Sequence, residues 1–216
     1  DLWNVVENLA IASGQPMPRV FIIQDASPNA FATGRTPEHS YVVVTSGLLK
    51  ELDKRELTGV IAHEMSHIAN YDIRVSMIVF GLVSAIGLIS DILLRTAFGA
   101  GRSDDDDSGS PYIYIVMIIV AILSPIIAAM IQLAVSRQRE YLADSSAALL
   151  TRDPEGLIMA LQKLDRSARP LQRQNTATAH MYIVNPLKKG LLNRLFSTHP
   201  SINDRIARLK KIGGQM

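Results

Sequence analysis

Residues 56–94 read ELTGVIAHEMSHIANYDIRVSMIVFGLVSAIGLISDILL. Two unlike patterns meet inside this stretch. In the first, His63 and His67 stand four residues apart, so on a helix both imidazoles project from one face and can share one ion. Glu64 lies one position on, about 100° around the helix, where it reaches a metal-bound water rather than the metal. In the second, residues 75–94 carry a single charge, Asp91. At about 1.5 Å per residue such a helix is long enough to cross a hydrocarbon core of about 30 Å. The stretch thus joins a hydrolytic metal motif directly to a membrane span.

A second span follows. Residues 99–111, GAGRSDDDDSGSP, form a polar loop, and residues 112–135 carry no charge at all. Together they predict a transmembrane helical hairpin. The alternative, a buried helical hairpin in a soluble core, is disfavoured because 216 residues can hardly cover two apolar runs of this length, one with a single charge and one with none. Only Arg95 and Arg102 of the 22 lysines and arginines fall within the hairpin. Positive charge stays cytoplasmic, so both flanks, and any site they build, are expected to face the cytoplasm. The run Asp104 to Asp107 reads as a solvated loop, with a cation site as the lesser alternative.

The composition agrees. Apolar residues make up 48% of the chain and mean hydropathy is +0.16, with the excess confined to the hairpin. A net charge of +2 gives no nucleic-acid footprint. The absence of cysteine excludes disulfides and thiolate ligands, so a metal must be held by His, Asp or Glu. The opening DLWNVVENLA has neither an initiator Met nor a basic-then-apolar leader, and Asp1 reads as an interior residue of a longer protein.

Around the hairpin the chain reads as α+β. Residues 1–13 show helical apolar spacing. RVFIIQD (19–25), AFATG and SYVVVTSG are three candidate strands within a short span, from which a small antiparallel sheet is expected. A helix begins near Leu48, and a second runs from about Asp53, a plausible N-cap with Glu56 three residues on, to beyond Asn70. After Arg137 the chain is helical again. Asp153 and Pro154 mark a further helix start, and STHPSINDRIARLKK reads as a capped C-terminal helix. The expected division is 1–74 as the first part of a catalytic domain, 75–135 as the hairpin with its polar loop at about 95–111, and 136–216 as the second part.

A catalytic zinc needs three protein ligands. The hairpin itself points to the third. His67 lies eight residues before the first span and Glu140 five after the second, so the chain returns to the level of the histidines carrying Glu140. Asp144, one turn further on the same face, is placed to accept a hydrogen bond from a ligand histidine. The competing reading of Glu140 is an exposed charge beside Arg137 and Arg139. Glu51 and Glu56 precede the histidines on connected helical sequence and cannot fold back onto them. His39 reads as a solvated turn residue and His180 as the start of a short strand HMYIV. His199 lies in a loop before a helix, where an imidazole can reach a developing oxyanion.

HEMSHIANYD, SRQREYLAD, PNAFATG and FSTHPSINDRIARL together resemble the HtpX family of bacterial membrane zinc metalloproteases, relatives of the CAAX prenyl protease and of a mitochondrial inner-membrane protease. The resemblance runs over essentially the whole chain, in the family's motif order. It implies a mainly helical, gluzincin-like domain with Glu140 as third zinc ligand and Asp144 behind it. It implies that an extended substrate pairs along NAFATG, contacting Asn29, Ala30 and Phe31. It gives His199 the transition-state-stabilising role, with Arg205 in support. Family members usually have two further spans before the position matching Asp1.

The expectation is a multi-pass zinc endopeptidase of the inner (cytoplasmic) membrane with one Zn²⁺ per chain, held by His63, His67 and Glu140. Glu64 acts as base and His199 steadies the oxyanion. Its expected partners are the bilayer and polypeptide substrates, which the resemblance implies are misfolded or damaged membrane proteins; no nucleic acid is expected. The alternatives are a prenyl-peptide protease and a non-catalytic, zinc-containing membrane scaffold.

Overall fold

The computed structural model of the protein describes residues 1–100, 111–167 and 200–215. Described in chain order are α1 (Leu2–Ser13), β1 (Arg19–Ile23), β2 (Ala30–Thr36), β3 (His39–Thr45), α2 (Ser46–Glu51), α3 (Lys54–Ala69), α4 (Asp72–Ala100), α5 (Pro111–Thr151), α6 (Pro154–Arg166) and α7 (Ile202–Gly213). The chain divides into two compact units, Asp1–Arg74 with Ser136–Met216, and Val75–Val135.

The first unit is built around α3. The helix starts where Asp53 accepts from the Glu56 backbone N–H while the Glu56 side chain accepts from the Asp53 N–H, the capping box read from the sequence. Nearly every residue of α3 from Leu57 to Met65 is buried. It packs against α1 through Val5, Val6 and Leu9, and against α6 through Leu157, Ile158 and Leu161. Gly59 sets the approach of α6: a Cβ there would lie 2.7 Å from the Leu157 backbone nitrogen. Helix α6 opens on Asp153, whose side chain accepts from the Gly156 N–H, followed by Pro154. Ser201 caps α7 in the same way, through the Asp204 N–H.

The sheet departs from the expected antiparallel form. Its order is β1-β3-β2, with β2 antiparallel and β1 parallel to the central β3. The two residues Pro37 and Glu38 force β2 and β3 into a hairpin. The six residues between β1 and β2 instead carry the chain past β3, so β1 meets β3 on its far edge and runs alongside it. That crossover is fastened to the end of β3: Asn29 N–H donates to Thr45 Oγ1 at 2.8 Å, and Thr45 Oγ1–H donates to the Ser27 carbonyl at 2.7 Å.

The helix expected to run past Asn70 stops there. Asn70 is the C-cap of α3, and Tyr71 takes a positive φ of 56° before α4 begins at Asp72. No glycine or proline marks this break. The guanidinium of Arg139 accompanies it, donating to the Asn70 carbonyl.

The second unit consists of the apolar parts of α4 and α5. Both helices are long and apolar enough to cross a membrane. Large apolar side chains stay exposed along them, among them Met77, Phe80 and Leu88 on α4 and Ile115, Ile122 and Met130 on α5. Exposed apolar surface of this extent is what lipid covers.

Candidate metal centre

His63 and His67 lie one turn apart on the buried α3, and their rings meet edge-on with centroids 4.7 Å apart. Their Nε2 atoms are 3.2 Å from each other. Glu140 on α5 turns its carboxylate to the same point, with Oε1 3.5 Å from His67 Nε2 and Oε2 3.7 Å from His63 Nε2. One ligand atom from each of the three residues falls within 4.8 Å of the others.

The opposite ring nitrogens are engaged. His63 Nδ1 lies 3.0 Å from Asp144 Oδ1, and His67 Nδ1 lies 2.6 Å from Asp72 Oδ2. With both Nδ1–H groups donating to aspartates, both Nε2 atoms present lone pairs toward one point and toward Glu140. Two acceptors face to face call for a cation between them. The formal charge agrees: Glu64, Asp72, Glu140 and Asp144 are all buried, against the two guanidiniums of Arg139 and Arg205. The two unmatched negative charges are what a divalent ion neutralises, so nitrogen and oxygen donors, geometry and charge fit a metal of the zinc type.

Without a metal, one proton takes the place of that cation. Burial and the nearby Arg205 oppose a charged His63, yet hydrogen bonds to Asp144 and Glu140 carry its pKa up to about 9. Burial and the charge on His63 push His67 down to about 4. The protein groups therefore favour one positive charge shared between the rings, since two would repel at this distance.

Each histidine has an aspartate behind it, and each aspartate has an arginine. Arg205 from α7 grips Asp144 with two bonds, Nε to Oδ2 at 2.9 Å and Nη2 to Oδ1 at 2.7 Å, and reaches Glu140 Oε2 at 3.5 Å. Burial alone would raise the Asp144 carboxyl, but Arg205 and His63 carry it down to about 2. Arg139, the neighbour of Glu140 on α5, pairs with Asp72.

Glu64 is buried beside the histidines, and burial raises its carboxyl above the ordinary value, only partly opposed by His67 and His63. The backbone of Ala32 on β2 also opposes that rise, favouring the ionised carboxylate. This places Glu64 beside an edge strand, since β2 pairs with β3 alone in the sheet. Of the residues expected to meet substrate there, Asn29 is buried, with Oδ1 accepting from the Ala30 N–H at 3.0 Å; Ala30 is buried and Phe31 half-buried. His199, His180 and Asn185 lie outside the described residues.

Sequence reasoning missed Asp72 and Arg139. Asp72 sits beyond a break that the sequence does not punctuate, and Arg139 reads as a solvated neighbour of Glu140. Both lie inside motifs quoted for the resemblance, HEMSHIANYD and SRQREYLAD, and Asp72 follows His67 by five residues, within reach of its ring once the helix turns.

The family model for peptidase family M48 matches residues 1–213. A protease HtpX homolog of Tropheryma whipplei (strain Twist) is 55% identical over 215 residues, covering 99% of this chain and 73% of the relative. A second, from Dictyoglomus thermophilum, is 51% identical over 212 residues, covering 98% and 69%. Among solved structures, the crystal structure of S. mikatae Ste24p superposes with a TM-score of 0.60 at 21% identity. That match covers 97% of this chain but 49% of the solved one, about half its length, and is a likeness of fold.

Proposed function

Because this chain belongs to peptidase family M48 and is a membrane metalloprotease, we propose that its metal is zinc, one ion per chain, held by His63, His67 and Glu140. The observation that carries this is the convergence of two Nε2 lone pairs and one carboxylate on a single point, with both Nδ1 atoms tied back to aspartates. Zinc bound there would supply a Lewis acid and acidify a water molecule.

The remaining steps belong to the protein. Glu64 accepts the proton of the water that attacks the peptide carbonyl, and passes it to the leaving amine. Its burial raises its proton affinity, which suits a base that must hold and then release a proton. Asp144 and Arg205 keep the His63 ring in the orientation and tautomer that leaves Nε2 free to coordinate. His199 supports the oxyanion, a role that rests on the motif resemblance. The substrate adds to the outer edge of β2 along Asn29, Ala30 and Phe31, a mode supported by β2 being an edge strand that already touches Glu64.

Residues 1–74 and 136–216 then form the catalytic domain, and 75–135 its anchor in the cytoplasmic membrane, with the site on the cytoplasmic side. The substrates are misfolded or damaged membrane proteins, a quality-control role with which the HtpX homologues accord. A zinc-containing scaffold would need a fourth protein ligand; among the described residues the donor group has three members, beside a buried carboxylate. The test is zinc content and peptide-bond cleavage by the chain in detergent. One zinc per chain, with cleavage lost to a chelator and restored by zinc, is expected. Cleavage indifferent to chelation would overturn the proposal.

A further inference from the structure

We infer that Asp72, held by Arg139, is a positioning residue for His67, and that without it the metal site loses one of its two anchors. The inference rests on the metal reading above and extends it to two residues to which that reading gives no role.

The geometry is specific. Asp72 is the first residue of α4, and its side chain is only 7% exposed. Its Oδ2 accepts from His67 Nδ1–H at 2.6 Å, while its Oδ1 meets the Arg139 guanidinium. A hydrogen bond at this position fixes which His67 nitrogen carries the proton and how the ring is turned. The backbone is shaped to deliver it. Tyr71, with φ at 56°, breaks the helix immediately after Asn70, a conformation costly for a bulky L-residue. The same guanidinium that pairs with Asp72 also takes the Asn70 carbonyl, so Arg139 secures the turn and the carboxylate together. Arg139 in turn adjoins Glu140, so the residue that locks the second histidine is bonded in sequence to the third ligand.

The arrangement repeats, on different elements, what Asp144 and Arg205 do for His63. A bystander ion pair would have no reason to aim its second carboxylate oxygen at the ring nitrogen opposite Nε2.

The test measures zinc affinity by competition with a chromogenic chelator, on the whole chain in detergent, for wild type, Asp72→Ala, Asp72→Asn, Arg139→Ala and Arg55→Ala. Arg55 pairs with Asp153 on the surface of the same unit and serves as the control. Asp72→Ala is expected to raise the zinc Kd about 10- to 100-fold. Asp72→Asn, which keeps an oxygen to accept from Nδ1–H and nearly the same shape, should recover part of that loss. Arg139→Ala should fall between wild type and Asp72→Ala, and Arg55→Ala should bind as wild type. At saturating zinc, the Asp72 variants should lower kcat and leave KM for a peptide substrate unchanged. Folded Asp72→Asn and Arg139→Ala proteins with wild-type zinc Kd would overturn the inference while leaving the metal site standing. A wild-type chain that binds no zinc would overturn the metal reading, and the inference with it.

Discussion

His63 and His67 stand one helical turn apart on α3 and are held by different means. Behind His63 lie Asp144 and Arg205, both 1% exposed, joined by a two-bond clasp between α5 and α7. Behind His67 lie Asp72 and Arg139, joined at the turn where α3 becomes α4, with the Arg139 side chain 24% exposed. One anchor is brought by a helix far along the chain, and the other by a turn five residues away.

Breaking each anchor should expose this difference. The largest effect is expected for Arg205→Ala, which leaves the Asp144 and Glu140 carboxylates buried without their guanidinium. Removing one partner of a buried pair costs about 3–5 kcal/mol, to be read as a large fall in the thermal midpoint in detergent. Arg139→Ala should cost about 1–2 kcal/mol by the same measurement, because Arg139 is itself partly exposed and leaves one carboxylate, Asp72, that keeps its bond from His67. Equal losses for the two arginines would erase the distinction.

A pH titration separates the two histidines in the chelator-treated protein. The His63 pKa is raised from 6.5 to about 9, so its contribution to stability is complete below pH 6.5 and is lost as pH climbs toward 9. The His67 pKa is lowered from 6.5 to about 4, so the unfolded chain binds the proton first and stability is lost as pH falls from 6.5 toward 4. The thermal midpoint should therefore peak near pH 6.5 and fall on both sides. A flat profile between pH 4 and 9 would contradict the opposed shifts.

The smallest effect concerns the turn itself. Tyr71→Asn, a residue at ease at positive φ, should lie within about 1 kcal/mol of wild type, whereas the β-branched Tyr71→Val should lose about 1–2 kcal/mol. Thermal midpoints of the two variants check this, and an equal response would show that the backbone there is unstrained.

The same contrast explains what the sequence could reveal. Local signals were legible: the capping box at Asp53 and Glu56, the Asp153–Pro154 start of α6, and the single face shared by His63 and His67 all depend on neighbours in the chain. Two helices with almost no charge announce themselves because lipid tolerates no other composition at that length. Glu140 was reachable by position, eight residues separating His67 from the first apolar run and five separating the second from Glu140, and it does gather with the two histidines. The parallel pairing of β1 was not legible, since strand order is settled by packing rather than by adjacency. Arg205 has no local signature for burial and entered only through the motif around it. Asp72 and Arg139 escaped because their meeting depends on a turn at Tyr71, a residue type that seldom makes one.

The most direct test of the central claim is the Glu64→Gln chain in detergent, assayed for zinc content and peptide-bond cleavage together. Glu64 stands beside the donors without being one of them. The variant should keep one zinc per chain while cleavage falls by at least about 100-fold, the order lost with a general base. Undiminished cleavage with zinc in place would contradict the assignment of Glu64 as the base.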